Sequence, residues 1–225
     1  MKTITQMIPY SPLTFFIYRR LLPCFMLLVL SVGGHSQSVQ KVLDATAARL
    51  TESGDVQAQF KVTQFSGTTP QSESKGTIVI SGNRFQIATD EISTWFDGKT
   101  QWSMLRNSGE VNVSEPDEKE QAGLNPSVLV KIYKRGFNYN MSKSSLRGRP
   151  TFVVHLWPNR KGSEISDILI DVDQKTYDPL CIRAKFGNDW VRFSILSLKA
   201  GLHFPDSHFS FPSKDYPGVE VIDLR

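Results

Sequence analysis

From residue 38 to 53 the positions Val39, Val42, Leu43, Thr46, Ala47 and Leu50 recur at the spacing of one face of an α-helix, with polar residues between them. Ser38 suits the N-cap and Gly54 the residue just past the C-terminus. At Asp55 the period changes to two: Val56, Ala58, Phe60 and Val62 alternate with Gln57, Gln59, Lys61 and Thr63, the signature of a half-buried strand. Residues 66–71, with Gly67 and Pro70, read as a loop. Short strands are then predicted over 74–81, 84–89, 92–96, 99–105 and 110–114, punctuated by Gly82-Asn83, Asp97-Gly98 and Asn107-Ser108-Gly109. Turn residues at this spacing, with no helix between them, predict an antiparallel meander.

Asp97-Gly98 suits a two-residue type I′ turn, since Gly adopts positive φ freely and Asp tolerates it. That turn pairs Phe96 with Lys99, Trp95 with Thr100 and Ser93 with Trp102. It places Trp95, Trp102 and Met104 on one sheet face, and Thr94, Phe96, Lys99 and Gln101 on the other. Two indoles on one face make either an aromatic core cluster or the wall of a cavity.

The strand pattern breaks at Pro116. After a charged lead-in, Asn125-Pro126 reads as an N-cap with Pro at N1, followed by Val128, Leu129, Ile132 and Tyr133 on one side. Lys131, Lys134 and Arg135 suit the last turns, and Gly136 can close this short amphipathic helix. Strands are predicted again over 137–143, 151–157, 166–173, 180–186 and 190–198, and the proline-interrupted tail 209–221 reads as edge-like. In 190–198 both faces are partly apolar, which calls for a cover on each or a cavity on one. The pattern as a whole predicts one α+β domain of about ten or more antiparallel strands, with two helices burying their stripes on the sheet.

Residues 1–36 stand apart from this pattern. Lys2, Arg19 and Arg20 form a basic start, residues 21–32 an apolar run too short to span a bilayer, and Gly34-His35-Ser36 a small-residue exit. The expectation is a secretory signal peptide over 1–36, cleaved near Ser36, and a soluble domain over 37–225. Cys24 lies at the start of the apolar run, whereas a lipoprotein cleavage cysteine belongs at its end. The segment carries three basic residues and no acidic ones, so the net charge of +4 falls to +1 without it. A nucleic-acid partner, which needs clustered cations on the folded part, is therefore not expected. Cys181 is the only cysteine beyond the leader, so no intramolecular disulfide is expected and stability has to come from a core. In its apolar strand it reads as a buried, inert thiol.

The residues offer little for catalysis. His203 and His208 flank Pro205, which prevents the helical i, i+4 geometry of zinc motifs, and no metal site is expected. Asp171 and Asp173 resemble the opening of a calcium loop but lack its glycine and closing glutamate, so a strand and turn is the expected reading. No nucleophile elbow or phosphate-cradling glycine loop is present. An enzyme is not expected, nor is a cofactor.

Three blocks in order resemble the periplasmic outer-membrane lipoprotein carrier proteins, the LolA-like family. They are an amphipathic helix leading into Val56-Gln57-Ala58-Gln59-Phe60-Lys61-Val62-Thr63-Gln64, then Gly76-Thr77-Ile78-Val79-Ile80 leading to Phe85, then Asp97-Gly98-Lys99-Thr100-Gln101-Trp102. The tail Phe209-Ser210-Phe211-Pro212 followed by Pro217-Gly218-Val219-Glu220-Val221 is similar to the family's closing segment. The resemblance implies an unclosed antiparallel β-barrel, here of about ten or eleven strands, with helices packed in its concave mouth around a hydrophobic cavity. It implies a periplasmic carrier that takes lipoproteins by their acyl chains from an inner-membrane ABC-type release complex to an outer-membrane acceptor. A monomer is expected, and a binding module of the same fold for another lipid or envelope component is the alternative. The expected cavity wall is Phe60, Val62, Ile78, Ile80, Phe85, Trp95, Trp102 and Met104, under a lid of Leu124, Val128, Leu129 and Ile132. Where family members carry a lysine-arginine-proline loop this chain has Ser81-Gly82-Asn83-Arg84, and Arg84 is the candidate for the loop cation that holds the lid.

Overall fold

A computed structural model describes residues 34–116, 132–134, 136–160 and 162–225. Its first element is the helix α1, Gly34–Thr51, which starts one turn before the expected Ser38. Every position of the predicted stripe is buried, with Leu43 and Thr46 wholly so. Glu52 N–H still donates to the Ala48 carbonyl, and Gly54, at φ +81°, then turns the chain into the first strand.

Twelve strands follow. They are β1 (Asp55–Ser66), β2 (Thr69–Ser81), β3 (Arg84–Thr89), β4 (Ile92–Phe96), β5 (Gln101–Leu105), β6 (Glu110–Ser114), β7 (Phe137–Leu146), β8 (Arg149–Pro158), β9 (Ile165–Asp173), β10 (Pro179–Phe186), β11 (Asp189–Leu202) and β12 (Glu220–Asp223). They form one sheet in the order β12-β6-β5-β4-β3-β2-β1-β11-β10-β9-β8-β7. The two end strands do not pair with each other, so the barrel is unclosed. Residues Ser38–Arg225 make one compact unit. The strand count is one above the expected range, because the edge-like tail supplies β12. That strand runs parallel to β6, an exception to the antiparallel expectation, since the chain crosses the sheet before it pairs.

Two turn expectations need correction. The loop expected over 66–71 is only Gly67-Thr68, and β1 and β2 form a long hairpin whose register slips between Gln64 and Phe65, next to the Pro70 partner. Pro70 is accommodated by that irregularity. The turn at Asp97-Gly98 is a four-residue loop, not a two-residue one. The Asp97 carboxylate accepts the backbone N–H groups of Lys99 (2.9 Å) and Thr100 (2.8 Å), while Asp97 N–H donates to the Thr100 carbonyl. Gly98 takes φ +106°, and Asp97 keeps a negative φ, which a type I′ turn would not allow. The pairs are therefore Phe96 with Gln101, Trp95 with Trp102 and Ser93 with Met104. This register differs by two from the expected one, so each strand residue keeps its face, and Lys99 and Thr100 leave the strand.

Alternation divides the sheet into two unlike faces. The concave face carries one continuous core from β7 to β4, with Val154, Leu156, Ile168, Ile170, Val172 and Ile182 wholly buried in it, and α1 packs into it. The convex face over β8 to β11 carries the charged pairs, with Arg183 on Asp171 (2.8 Å) and His155 on Asp167 (2.9 Å). Asp173, the other candidate calcium ligand, accepts the N–H groups of Lys175 and Thr176 and pairs with Arg149. Cys181 is 5% exposed, and burial, followed by the charge of Asp171, pushes its thiol pKa up, as for an inert group.

Over β3 to β6 the convex face is covered by the C-terminal segment, which includes 3-10 turns at Asp206–Phe209 and Ser213–Asp215. Burial alone would raise the Asp55 carboxyl, but the Ser81 hydroxyl and the Phe204 N–H at 2.6 Å outweigh it and hold the pKa below the ordinary 3.8. His208, tilted against Phe204 and edge-on to Phe209, is held below 6.5 by burial against the weaker pull of Asp55. Both native pKa values lie below the unfolded ones, so both groups lose stabilisation as pH falls. Thermal melts are expected to show stability declining from pH 6.5 downward through His208, and again below 3.8 through Asp55. His208→Phe should remove the first decline only.

Candidate functional site

The concave face collects five of the expected cavity residues. Val56 pairs with Ile80, and Ala58 with Ile78, so their side chains share a face with Phe60 and Val62. Ile80 pairs with Phe85 and Ile78 with Ile87, which carries the same face into β3. Phe85 is fully buried and meets Phe96 with ring centroids 5.3 Å apart. From the other side β11 adds Phe193, Ile195 and Leu198 opposite Val62, Phe60 and Ala58. Gly76 makes room for this arrangement: a Cβ there would lie 2.8 Å from the ring tip of Phe60 and 2.4 Å from the Ala88 carbonyl oxygen.

Trp95, Trp102 and Met104 are not part of this wall. Phe96 pairs with Phe85 and points into the concave core, so its neighbour Trp95 points to the opposite face by the period of two. Trp95, Met104 and Val111 form a separate cluster, with Trp102, Phe211, Tyr216 and Val219 packed against it. Phe211 meets Trp95 edge-on at 5.4 Å and stacks on Tyr216 at 5.5 Å. The two indoles are thus core beneath the C-terminal segment, and the expectation that they line the cavity is corrected. The aromatic tail residues were the signal: Phe211 and Tyr216 need an apolar surface, and the indole face is that surface.

Arg84 also lies on the convex side. Its guanidinium donates to Asp206 (2.6 Å) and to the Ser81 hydroxyl (2.9 Å), and sits 4.7 Å over the Phe209 ring. Its hydrogen-bond and ring partners among the described residues belong to β2 and the C-terminal segment, and its charge also acts on Asp55 at the start of β1. Arg84→Ala is accordingly expected to cost about 1 kcal/mol in denaturant unfolding, the size of one exposed ion pair with a ring contact, and to leave any ligand affinity of the concave face unchanged.

Of the expected lid, Leu124, Val128 and Leu129 lie outside the described residues, as does the side chain of Ile132. Ile132–Lys134 is a 3-10 turn, and its Tyr133 is buried. The Tyr133 hydroxyl donates to Asp44 of α1, and Lys134 pairs with the same carboxylate at 3.0 Å. The hydroxyl first and the ammonium second hold the Asp44 pKa below its ordinary value. A second tie, Arg49 to Asp178 at 2.7 Å, fixes the C-terminal half of α1 to the β9–β10 turn.

Among the described residues it is the helix that sequence periodicity identified, joined by Tyr133, that covers the concave face. Between Leu50 and the strand residues Val56, Ala58, Phe60, Ile78, Ile80, Phe193, Ile195 and Leu198 only about 20 Å³ of space remains. Small-molecule sites run to roughly 300–1,000 Å³, so an acyl chain would have to take the place of side chains now packed there. Chemically the wall presents hydrocarbon and aromatic edges. Among the described residues no cluster of three or more His, Cys, Asp or Glu side chains could hold a metal ion.

A comparison with curated protein sequences finds no match. Solved structures are similar at low identity. A LolA superfamily protein from Nitrosomonas europaea is 9% identical with a TM-score of 0.43, over 76% of this chain and 97% of that one. A DUF1329 family protein from Desulfovibrio piger is 10% identical with a TM-score of 0.46, over 78% and 98%. LprF from Mycobacterium bovis is 12% identical with a TM-score of 0.46, over 77% and 98%. The family model described as outer membrane lipoprotein carrier protein LolA matches residues 31–188. The matched span holds α1, the apolar wall of β1 to β3 and the strands through β10, and the chain belongs to the LolA-like lipoprotein carrier family.

Proposed function

We propose that this chain is a periplasmic carrier that binds the acyl chains of lipoproteins on the concave face of its sheet and moves them from the inner to the outer membrane. The observation that carries the reading is the covering of that face. Among the described residues, a wall of Phe60, Val62, Ile78, Ile80 and Phe85 is covered by the amphipathic helix α1, with Tyr133 in the same core, and not by a second sheet. A helix held by a few side-chain ties can be displaced, whereas a paired sheet cannot without breaking a ladder of hydrogen bonds.

Each buried CH₂ contributes about 0.8 kcal/mol, so acyl chains need cover in water. A carrier must also let them go. Ligand binding that displaces α1 gives up the burial of Val39, Val42, Leu43, Ala47 and Leu50 against the sheet, which offsets part of the gain. The net affinity is then low enough for transfer onward. On this reading an ATP-driven inner-membrane release complex is the donor and an outer-membrane protein the acceptor, and the chain itself performs no chemistry. Mass spectrometry of the domain isolated from the cell envelope without detergent tests the proposal. Co-purifying acylated lipoprotein is the expected result; free lipid alone would redirect the reading to another envelope lipid, and neither would remove it.

A further inference from the structure

The concave face changes character between β3 and β5. In one row across the strands the residues are Ile80, Phe85, Phe96, Gln101 and Ser114; in the next they are Ile78, Ile87, Thr94, Ser103 and Asn112. Both rows begin apolar and end polar without leaving the face. The polar end is not a solvated rim: Thr94 is 1% exposed and Gln101 9%. The Gln101 amide donates to the Ser103 hydroxyl at 3.3 Å, and Ser103 shares a hydrogen bond with Thr94, also at 3.3 Å. The other end of the same carboxamide, Oε1, is buried with no partner among the described residues.

Buried acceptors are normally satisfied, so an orphan of this kind calls for a reason. The other orphaned side-chain atoms among the described residues, on Thr63, Thr151, Arg183, Arg192 and His208, lie on the convex face or in the C-terminal segment. Gln101 alone stands in line with the acyl wall, two strands from Phe85. An acceptor there matches a ligand N–H, and a network of two hydroxyls sharing one hydrogen bond keeps a proton free for a carbonyl. No charged side chain belongs to this stretch of the two rows, so the complementary group is neutral.

Resting on the carrier reading, we infer that Gln101, Ser103 and Thr94 form a polar subsite that receives the amide linkage of an N-acylated lipid anchor while its chain lies along Phe85, Ile80 and Ile78. A subsite of this chemistry separates amide-linked from purely ester-linked lipids. It gives the cavity a means of distinguishing lipoprotein from bulk phospholipid that apolar contacts alone do not supply.

The test uses two synthetic triacyl lipopeptides that differ only in one linkage, amide against ester, titrated into the purified protein. Wild type is expected to bind the amide about tenfold more tightly, the size of one hydrogen bond to a buried group. Gln101→Leu should bring the amide down to the ester's affinity and leave the ester unchanged; melting curves and the second variant Gln101→Met guard against a folding defect. Equal binding of the two by wild type, or an amide preference that survives in both variants, overturns the subsite while the carrier reading stands. Binding of neither lipopeptide overturns both.

Discussion

Tethering α1 to the β9–β10 turn is expected to reduce lipid loading by tenfold or more, about 1.4 kcal/mol or greater in apparent affinity. The reasoning begins with volume. The space between Leu50 and the strands is about 20 Å³, and the stripe from Val39 to Leu50 is buried against the sheet. On the proposed carrier reading an acyl chain binds a state in which the helix has moved, and its apparent affinity scales with the accessibility of that state. Arg49 and Asp178 already meet at 2.7 Å, so cysteines at these two positions joined by a short thiol cross-linker hold the helix down without disturbing the core. Cys181 is buried and should not compete for the reagent. Loading should return when a cleavable linker is cut. Unchanged loading in the linked protein would show that α1 need not move.

Phe85→Ala is expected to destabilise the fold by about 3–5 kcal/mol. The ring is fully buried, faces Ile80 across β2 and β3, and meets Phe96 at 5.3 Å. Neighbours fixed in a twelve-stranded sheet collapse poorly into a void, so the loss includes a cavity contribution as well as the transfer free energy. Against a total of about 5–15 kcal/mol for a domain, this is a large fraction. Urea unfolding should show a lower midpoint with the slope unchanged. A loss below about 1 kcal/mol would mean that Phe85 is not part of a tightly packed wall.

Much of the fold was legible because the chain's period is unambiguous where it matters. The stripe of α1 names its buried residues correctly, and the alternation in β1 does so for Val56, Ala58 and Phe60, while Val62 is half-buried and Thr63 on the polar side is buried. Faces also survived an error of register: the Asp97 loop moved every pair by two and left every strand side chain on its side of the sheet. What sequence could not supply was the relation between strands. Trp95 and Phe60 each lie on an apolar face of their own strands, and nothing local says that the faces are opposite. That relation follows only from the chain of pairs through Ile80, Phe85 and Phe96. Arg84 illustrates the same gap, since its partner Asp206 is 122 residues away. The polar subsite was hidden for a further reason. Gln101 and Ser103 are polar residues in a short strand, and only the pairing with Phe96 and Thr94, with the burial of Gln101, reveals them as part of the inner face.

The claim on which the rest depends is that acyl chains lie against the concave wall and not against the indole face. A lipopeptide carrying a photoreactive group at the end of one acyl chain tests it most directly, with the cross-linked residues mapped by peptide sequencing. Adducts on Phe60, Ile78, Ile80 or Phe85, with none on Trp95, Trp102 or Met104, are the expected result. Adducts confined to the indole cluster, or spread over the outer surface, would contradict it.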